Sequence, residues 1–256
     1  MELPHLPKLK GVFITGTDTD VGKTWVAAGL TAVLRRWGLR AVYFKPVQSG
    51  CPEEGGRLIP TDARLAREVA GLTEPLELLT PVTLKLPLAP AVAASQEGRP
   101  VDLGKVAAAL AELSRRYDIF VVEGAGGLCV PVADLRFWVL HLAAWLKLPL
   151  MVVAKPGLGT INHTVLTVSA AHQAGVPVAG IVLNRYPATP SLAERTNPEV
   201  IAALTELPIL GRVPEVGDLT RPEDREIFLG AMDRVARQLA DACAARAFLE
   251  CVLLEE

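Results

Sequence analysis

The chain has 256 residues, 50% of them hydrophobic and 5% aromatic, and a formal net charge of −2. A near-neutral chain without a long basic run lacks the basic face that nucleic acid requires, so no nucleic-acid partner is expected. No apolar run is long enough to span a bilayer, and residues 1–10 lack the apolar segment of a secretory leader, so no membrane association and a cytoplasmic location are expected.

In chain order, residues 11–15 form a short apolar run that reads as a buried parallel strand, and residues 25–37 carry apolar positions at helical spacing. Residues 41–45 predict a second strand ending at Lys45, and residues 50–60 read as a loop rich in Gly, Pro and Glu. Thr61 is placed to cap a helix through Asp62 to Ala70, closed by Gly71. Five prolines between 75 and 100 rule out one regular helix there and predict an irregular excursion over the sheet edge. A helix near 102–116 precedes a strand at 119–123, with further strands at 151–154, 178–183 and 209–213 and a helix from about 222 to 253. Strands alternating with helices predict an α/β fold, doubly wound, with a mostly parallel sheet and helices on both faces. One domain over residues 1–256 is expected. Cys51, Cys129, Cys243 and Cys251 form no CxxC pair and have no His at metal spacing, so free thiols are expected.

Between the first strand and helix lies G-T-D-T-D-V-G-K-T, residues 16–24. Strand, Gly-rich turn and helix form the context of a phosphate-binding P-loop, because unpaired N–H groups at the helix start and the helix dipole favour phosphate oxygens. Lys23 would reach the outer phosphates and the Thr24 hydroxyl would hold Mg²⁺. The spacing is unusual only in that Thr17 stands where the first Gly is expected, with Gly16 before it.

In such a sheet, ligands sit at the carboxyl ends of the strands, and here each predicted strand ends in a polar group. Lys45, stiffened by Pro46, reads as a cation for a transferring phosphoryl group or as an exposed strand-end charge. Ser49 and Gly50 offer a hydroxyl and open backbone to a second ligand. Glu123 ends an apolar strand, where a carboxylate is costly unless paired or metal-bound, and makes a Walker-B-type partner for Thr24 on Mg²⁺. Glycines after it, in Gly124-Ala125-Gly126, let the backbone approach a ligand closely. Asp62 is either a second metal carboxylate or a helix-start acid facing the dipole. Residues 155–163, from Lys155 to His163, form another strand–turn–helix passage, and the helix start near Thr160 suits an anion such as a carboxylate. Asn184 and Arg185 either read a base edge or simply turn the chain.

Taken together these residues resemble the dethiobiotin synthetase family. The likeness rests on G-T-D-T-D-V-G-K-T, K-P-V-Q-S-G at 45–50, T-D-A at 61–63, S-Q-E-G-R-P at 95–100, V-E-G-A-G-G at 122–127 and G-L-G-T-I-N-H at 157–163, and runs from about 11 to 216. The resemblance implies ATP-dependent ring closure of 7,8-diaminopelargonate with CO₂, through a carbamate and a carbamic-phosphoric anhydride, in a homodimer with substrate sites at the subunit interface. It implies Lys23 and Lys45 on the phosphoryl and carbamate charges, and Thr24, Asp62 and Glu123 around Mg²⁺. ATP would lie along Asp20, Val21, Gly22, Lys23, Thr24 and Trp25, with Asp62, Glu123, Gly124, Ala125 and Gly126 beside the phosphates. Asn184 and Arg185 with Pro214, Glu215 and Val216 would receive adenine. Thr19 and Ser49 would contact the diamine and Asn162 its distal carboxylate.

Three departures stand out: Asp20 replaces the Glu often found in the loop, residues 89–92 (A-P-A-V) lack a Pro-His pair, and the tail beyond Gly217 carries no recognisable motif. The closest alternative is a ParA/MinD-like ATPase switch, whose loop carries a lysine a few residues before G-K-T; Asp18 occupies that region here. Amidating ligases of the cobyrinate diamide type carry a glutaminase domain for which the chain has no room. A pure binding module would leave the loop, two lysines and two carboxylates without a purpose.

Overall fold

Six strands form one sheet: β1 (Lys10–Gly16), β2 (Ala41–Phe44), β3 (Ile119–Gly127), β4 (Leu150–Ala154), β5 (Val178–Tyr186) and β6 (Ile209–Pro214). The computed structural model describes residues 3–217, 219 and 221–245. The strand order is β6-β5-β4-β1-β3-β2, and every pairing is parallel. Parallel strands need crossovers, and these are supplied by α1 (Lys23–Arg36), α2 (Thr61–Ala70), α3 (Leu103–Leu113), α4 (Val139–Leu146), α5 (Thr160–Gln173) and α6 (Leu192–Thr205), while α7 (Pro222–Ala245) follows β6 and packs on α1. Every residue of β2 and β4 is buried, so the sheet is covered on both faces, as continuous apolar runs require. The chain runs from β1 outward to β2 and returns through β3 before crossing to β4. That reversal of winding opens a crevice at the carboxyl ends of β1 and β3.

Small side chains let the layers approach closely. At Gly29 on α1, an added Cβ would lie 2.7 Å from Phe228 and from Met232 of α7. The two helices therefore pack almost backbone to side chain, and Phe228 is carried to the carboxyl edge of the sheet.

The predicted elements are present with corrected edges. β3 runs four residues past Glu123, because Gly16 pairs with Gly127 across a bulge. Residues 50–60 hold a small hairpin, Glu53–Glu54 with Arg57–Leu58. The proline-rich stretch contains Leu76–Leu79, Val82–Thr83 and Pro90–Gln96. Thr61 is not the cap of α2: Pro60 occupies the cap, and Thr61 begins the first turn. α3 starts where Asp102 caps it, accepting at 2.8 Å from the Gly104 N–H, and ends at Leu113 rather than 116. α7 is helical to Ala245, and the expected continuation to 253 lies outside the described residues.

Sequence patterning missed α4 and α6. α6 opens with a capping box, in which Ser191 and Glu194 bond reciprocally, but Pro198 inside the helix broke the pattern.

Cys51 and Cys129 are free, whereas Cys243 is disulfide-bonded, and Cys251 lies outside the described residues. The expectation of free thiols therefore fails at Cys243, because bridging depends on folded Cβ separation and not on a CxxC spacing. Cys51 is 1% exposed, and burial pushes its thiol from 9.0 up to about 11. The raised folded value means Cys51 favours the native state below pH 9.0 and ceases to do so as pH rises through about 11. At pH 8, iodoacetamide should modify exposed Cys129 and spare Cys51 until denaturant is added, as peptide mass spectrometry would read.

Candidate active site

The loop after β1 wraps the start of α1. Gly22 is its turning point, in the left-handed region at φ 89°, and Asp20 is also left-handed at φ 56°. Short polar Asp tolerates that conformation and Gly favours it, so this loop's sequence dictates its shape. Lys23 is 7% exposed and donates to the Asp18 carbonyl at 3.2 Å. Burial lowers its pKa, an effect Glu123 opposes and Lys45 reinforces. An incoming anion would relieve both penalties.

Beneath the loop lies a buried polar cluster. Glu123 is 1% exposed, and its Oε1 accepts from Thr24 Oγ1 at 2.9 Å and from Lys45 Nζ at 2.7 Å. Its Oε2 accepts from the Tyr43 hydroxyl at 2.7 Å. Lys45 also donates to Asp62 Oδ2, so one ammonium joins the two carboxylates. Burial pulls the Lys45 pKa down, but Glu123 and Asp62 outweigh it and hold the value above normal. Lys45 is thus a buried, charged lysine and not an exposed strand-end charge. Burial, then Glu123, raises the Tyr43 pKa far above the usual phenol. Asp62 is set in place by Gln48: Asp62 N–H donates to Gln48 Oε1 at 3.2 Å, and Gln48 Nε2 donates to Thr61 Oγ1 at 2.9 Å.

Of these groups all but Tyr43 line a cavity of about 470 Å³ that also includes Thr19, Asp20, Gly22, Trp25, Ser49, Gly50, Pro87, Ala125, Gly126 and Arg185. A second cavity of about 270 Å³ is walled by Trp25, Asn184, Arg185, Pro214, Glu215, Val216 and Phe228. Trp25 and Arg185 belong to both, so the two are adjacent. Asn184 is buried and donates to the Val21 carbonyl at 2.9 Å, tying β5 to the loop. The Phe228 ring meets Trp25 edge-on at 6.2 Å. A third cavity of about 450 Å³ holds Asp18, Val21, Lys155, Thr160, His163 and Glu194, and the buried Thr160 hydroxyl has no partner there among the described residues.

The structure therefore gathers most residues the motifs single out, with three exceptions. Val21 is buried beneath the loop and lines the third cavity, Gly124 is buried inside β3, and exposed Asn162 on α5 lines none of the three cavities. Tyr43 and Gln48 escape a reading by pattern. Tyr43 looks like one more core aromatic, and Gln48 sits unmarked inside K-P-V-Q-S-G.

Among the described residues, no group of three or more His, Cys, Asp and Glu side chains could hold a metal. Two carboxylates bonded to one ammonium, with a hydroxyl at hand, are nevertheless a hard-oxygen set. They fit Mg²⁺, which takes one or two carboxylates and completes its shell with phosphate and water. No helix among the described residues is long and apolar enough to cross a membrane.

A glycine-rich loop between β1 and α1, at the carboxyl edge of a parallel sheet, with a buried carboxylate on the neighbouring strand, defines a P-loop NTPase-type protein. A family model described as an AAA domain matches residues 10–223. ATP-dependent dethiobiotin synthetase BioD from Anaeromyxobacter dehalogenans is 48% identical over 83% of this chain and 93% of its own length. The protein of the same name from Bacillus subtilis subsp. natto is 39% identical over 83% of this chain and 90% of its own. The chain belongs to the ATP-dependent dethiobiotin synthetase family and is an enzyme that uses small molecules such as ATP. A solved structure of the septum site-determining protein MinD from Pyrococcus horikoshii superposes with a TM-score of 0.53 at 15% identity, over 96% of this chain and 100% of that one. That likeness shows a common fold and no more.

Proposed function

We propose that this chain closes a cyclic urea on 7,8-diaminopelargonate with CO₂ and ATP, giving dethiobiotin, ADP and phosphate. The observation that carries the reading is the ammonium of Lys45, buried between Glu123 and Asp62 and facing the same cavity as Lys23 and Ser49. One substrate amine adds CO₂ and loses a proton to become a carbamate. A carbamate oxygen attacks the γ-phosphorus as the bond to ADP breaks, forming a mixed anhydride. The second amine then attacks the carbonyl carbon, and phosphate leaves.

No side chain has to act as a nucleophile in this sequence; the protein positions the partners and neutralises charge. Lys23 and Lys45 supply two buried cations, 7% and 5% exposed, and burial makes such charges act more strongly than in water. Thr24, Asp62 and Glu123 would hold Mg²⁺, which when bound neutralises phosphate charge. The second cavity suits a purine, with Asn184 and the 214–216 turn at the base and Trp25 alongside it. Ser49 and Thr19 would meet the diamine. Asn162 and the α5 start would take the distal carboxylate, in a homodimer where the partner subunit brings that helix to the site. The Thr160 hydroxyl, without a partner among the described residues, supports an anion there. The described residues are read as one domain working in the cytoplasm.

Purified protein incubated with ATP, Mg²⁺, bicarbonate and 7,8-diaminopelargonate should yield dethiobiotin by mass spectrometry, and omission of any component should abolish it. ATP binding without product under these conditions would refute the substrate assignment and leave the nucleotide site standing.

A further inference from the structure

The two oxygens of Glu123 have different company. Oε1 accepts from Thr24 and Lys45, both of which line the first cavity. Among the described residues Oε2 accepts from Tyr43 alone, and Tyr43 lines none of the three cavities. Tyr43 lies in the middle of β2, opposite Val121 on β3, with 0% exposure. At such a site phenylalanine would fill the same space without a polar atom to satisfy. A buried phenol is retained at a cost unless its O–H finds a partner, and here the partner is the carboxylate on the next strand.

We propose that Tyr43 is a positioning residue for Glu123. Its hydroxyl holds Oε2 from the core side, which fixes the carboxylate plane and leaves Oε1 to face Thr24 and the cation. This rests on the reading of Thr24, Asp62 and Glu123 as the Mg²⁺ end of the site, and it assigns the support of that end to a residue outside the cavity. Donors behind a ligating carboxylate commonly tune metal affinity by about 10-fold or more. Lys45 cannot substitute for Tyr43, because it holds the other oxygen and also serves Asp62.

The test is calorimetric titration of ADP into the wild-type protein and Tyr43→Phe, in EDTA and at graded Mg²⁺. Tyr43→Phe should bind ADP like the wild type in EDTA, while its half-saturating Mg²⁺ rises about 10-fold. The kcat of dethiobiotin formation should fall at low Mg²⁺ and recover at excess. In a Glu123→Gln background the Tyr43→Phe change should add no further loss of Mg²⁺ dependence, because the two act through one contact. An unchanged Mg²⁺ dependence in folded Tyr43→Phe overturns the inference. So does an equal loss of ADP affinity in EDTA, or failure of the variant to fold, since either makes the hydroxyl structural. Absence of any Mg²⁺ effect in the wild type would instead overturn the underlying metal reading.

Discussion

Lys45→Ala is expected to lower the rate of dethiobiotin formation by at least about 10²–10³-fold, the usual loss on removing a fixed charge or donor that stabilises a transition state. The geometry adds a second expectation. Lys45 is the bonded counter-ion of two carboxylates, one of them 1% exposed, so its removal leaves Glu123 and Asp62 with no directly bonded cation and only the more distant charge of Lys23. Breaking a buried pair in this way costs about 3–5 kcal/mol. Without divalent metal the variant should therefore melt well below the wild type. Mg²⁺ should return part of the difference, because a divalent cation can take the place of the ammonium. Steady-state product formation and paired thermal melts with and without Mg²⁺ measure both effects. Turnover within tenfold of wild type would remove Lys45 from the proposed chemistry. A melting temperature unaffected by both the substitution and Mg²⁺ would show that the carboxylates do not depend on a cation.

Fold and site were legible in the sequence to different degrees, for physical reasons. The strand–loop–helix at the start was readable because each local requirement points the same way: an apolar run, then Gly and Asp at the left-handed positions, then helical spacing. The strand-end polar residues were readable as a set because a parallel sheet brings carboxyl ends together. Pairings within that set were not. That Lys45 bridges Glu123 and Asp62 depends on β2 lying beside β3 at the sheet edge, although 78 residues separate Lys45 from Glu123. Tyr43 was hidden for the same reason, since only strand register shows that its hydroxyl meets a carboxylate. α6 was hidden by Pro198, and the disulfide of Cys243 by the lack of any local spacing rule. Asn162 shows the reverse case: its motif is clear, yet its side chain stands exposed and lines none of the three cavities, although Thr160 and His163 of the same motif line the third.

Gly22→Ala should be the most damaging single-methyl change at the site. Gly22 sits at φ 89°, and a Cβ there would lie 2.0 Å from Asn184 Nδ2. Two penalties combine. A left-handed non-glycine residue strains the loop by about 1–3 kcal/mol. The clash also pushes Asn184 off the Val21 carbonyl, and leaving a buried amide unpaired costs about 1–3 kcal/mol more. The loop can escape only by shifting the N–H groups at the start of α1, which are the groups aimed at phosphate. ADP affinity in Mg²⁺ should therefore fall by about 10²-fold, close to 3 kcal/mol, while the protein remains folded at 25 °C. Calorimetric titration of ADP reads the first effect and a thermal melt the second. Asn184→Ala made alone and together with Gly22→Ala separates the causes, because in the Asn184→Ala background the clash is absent and Gly22→Ala adds only the backbone strain. Gly22→Ala should therefore cost less ADP affinity in that background than in the wild type. Wild-type affinity in Gly22→Ala alone would mean that nucleotide does not bind on this loop, and the proposed function would fall with it.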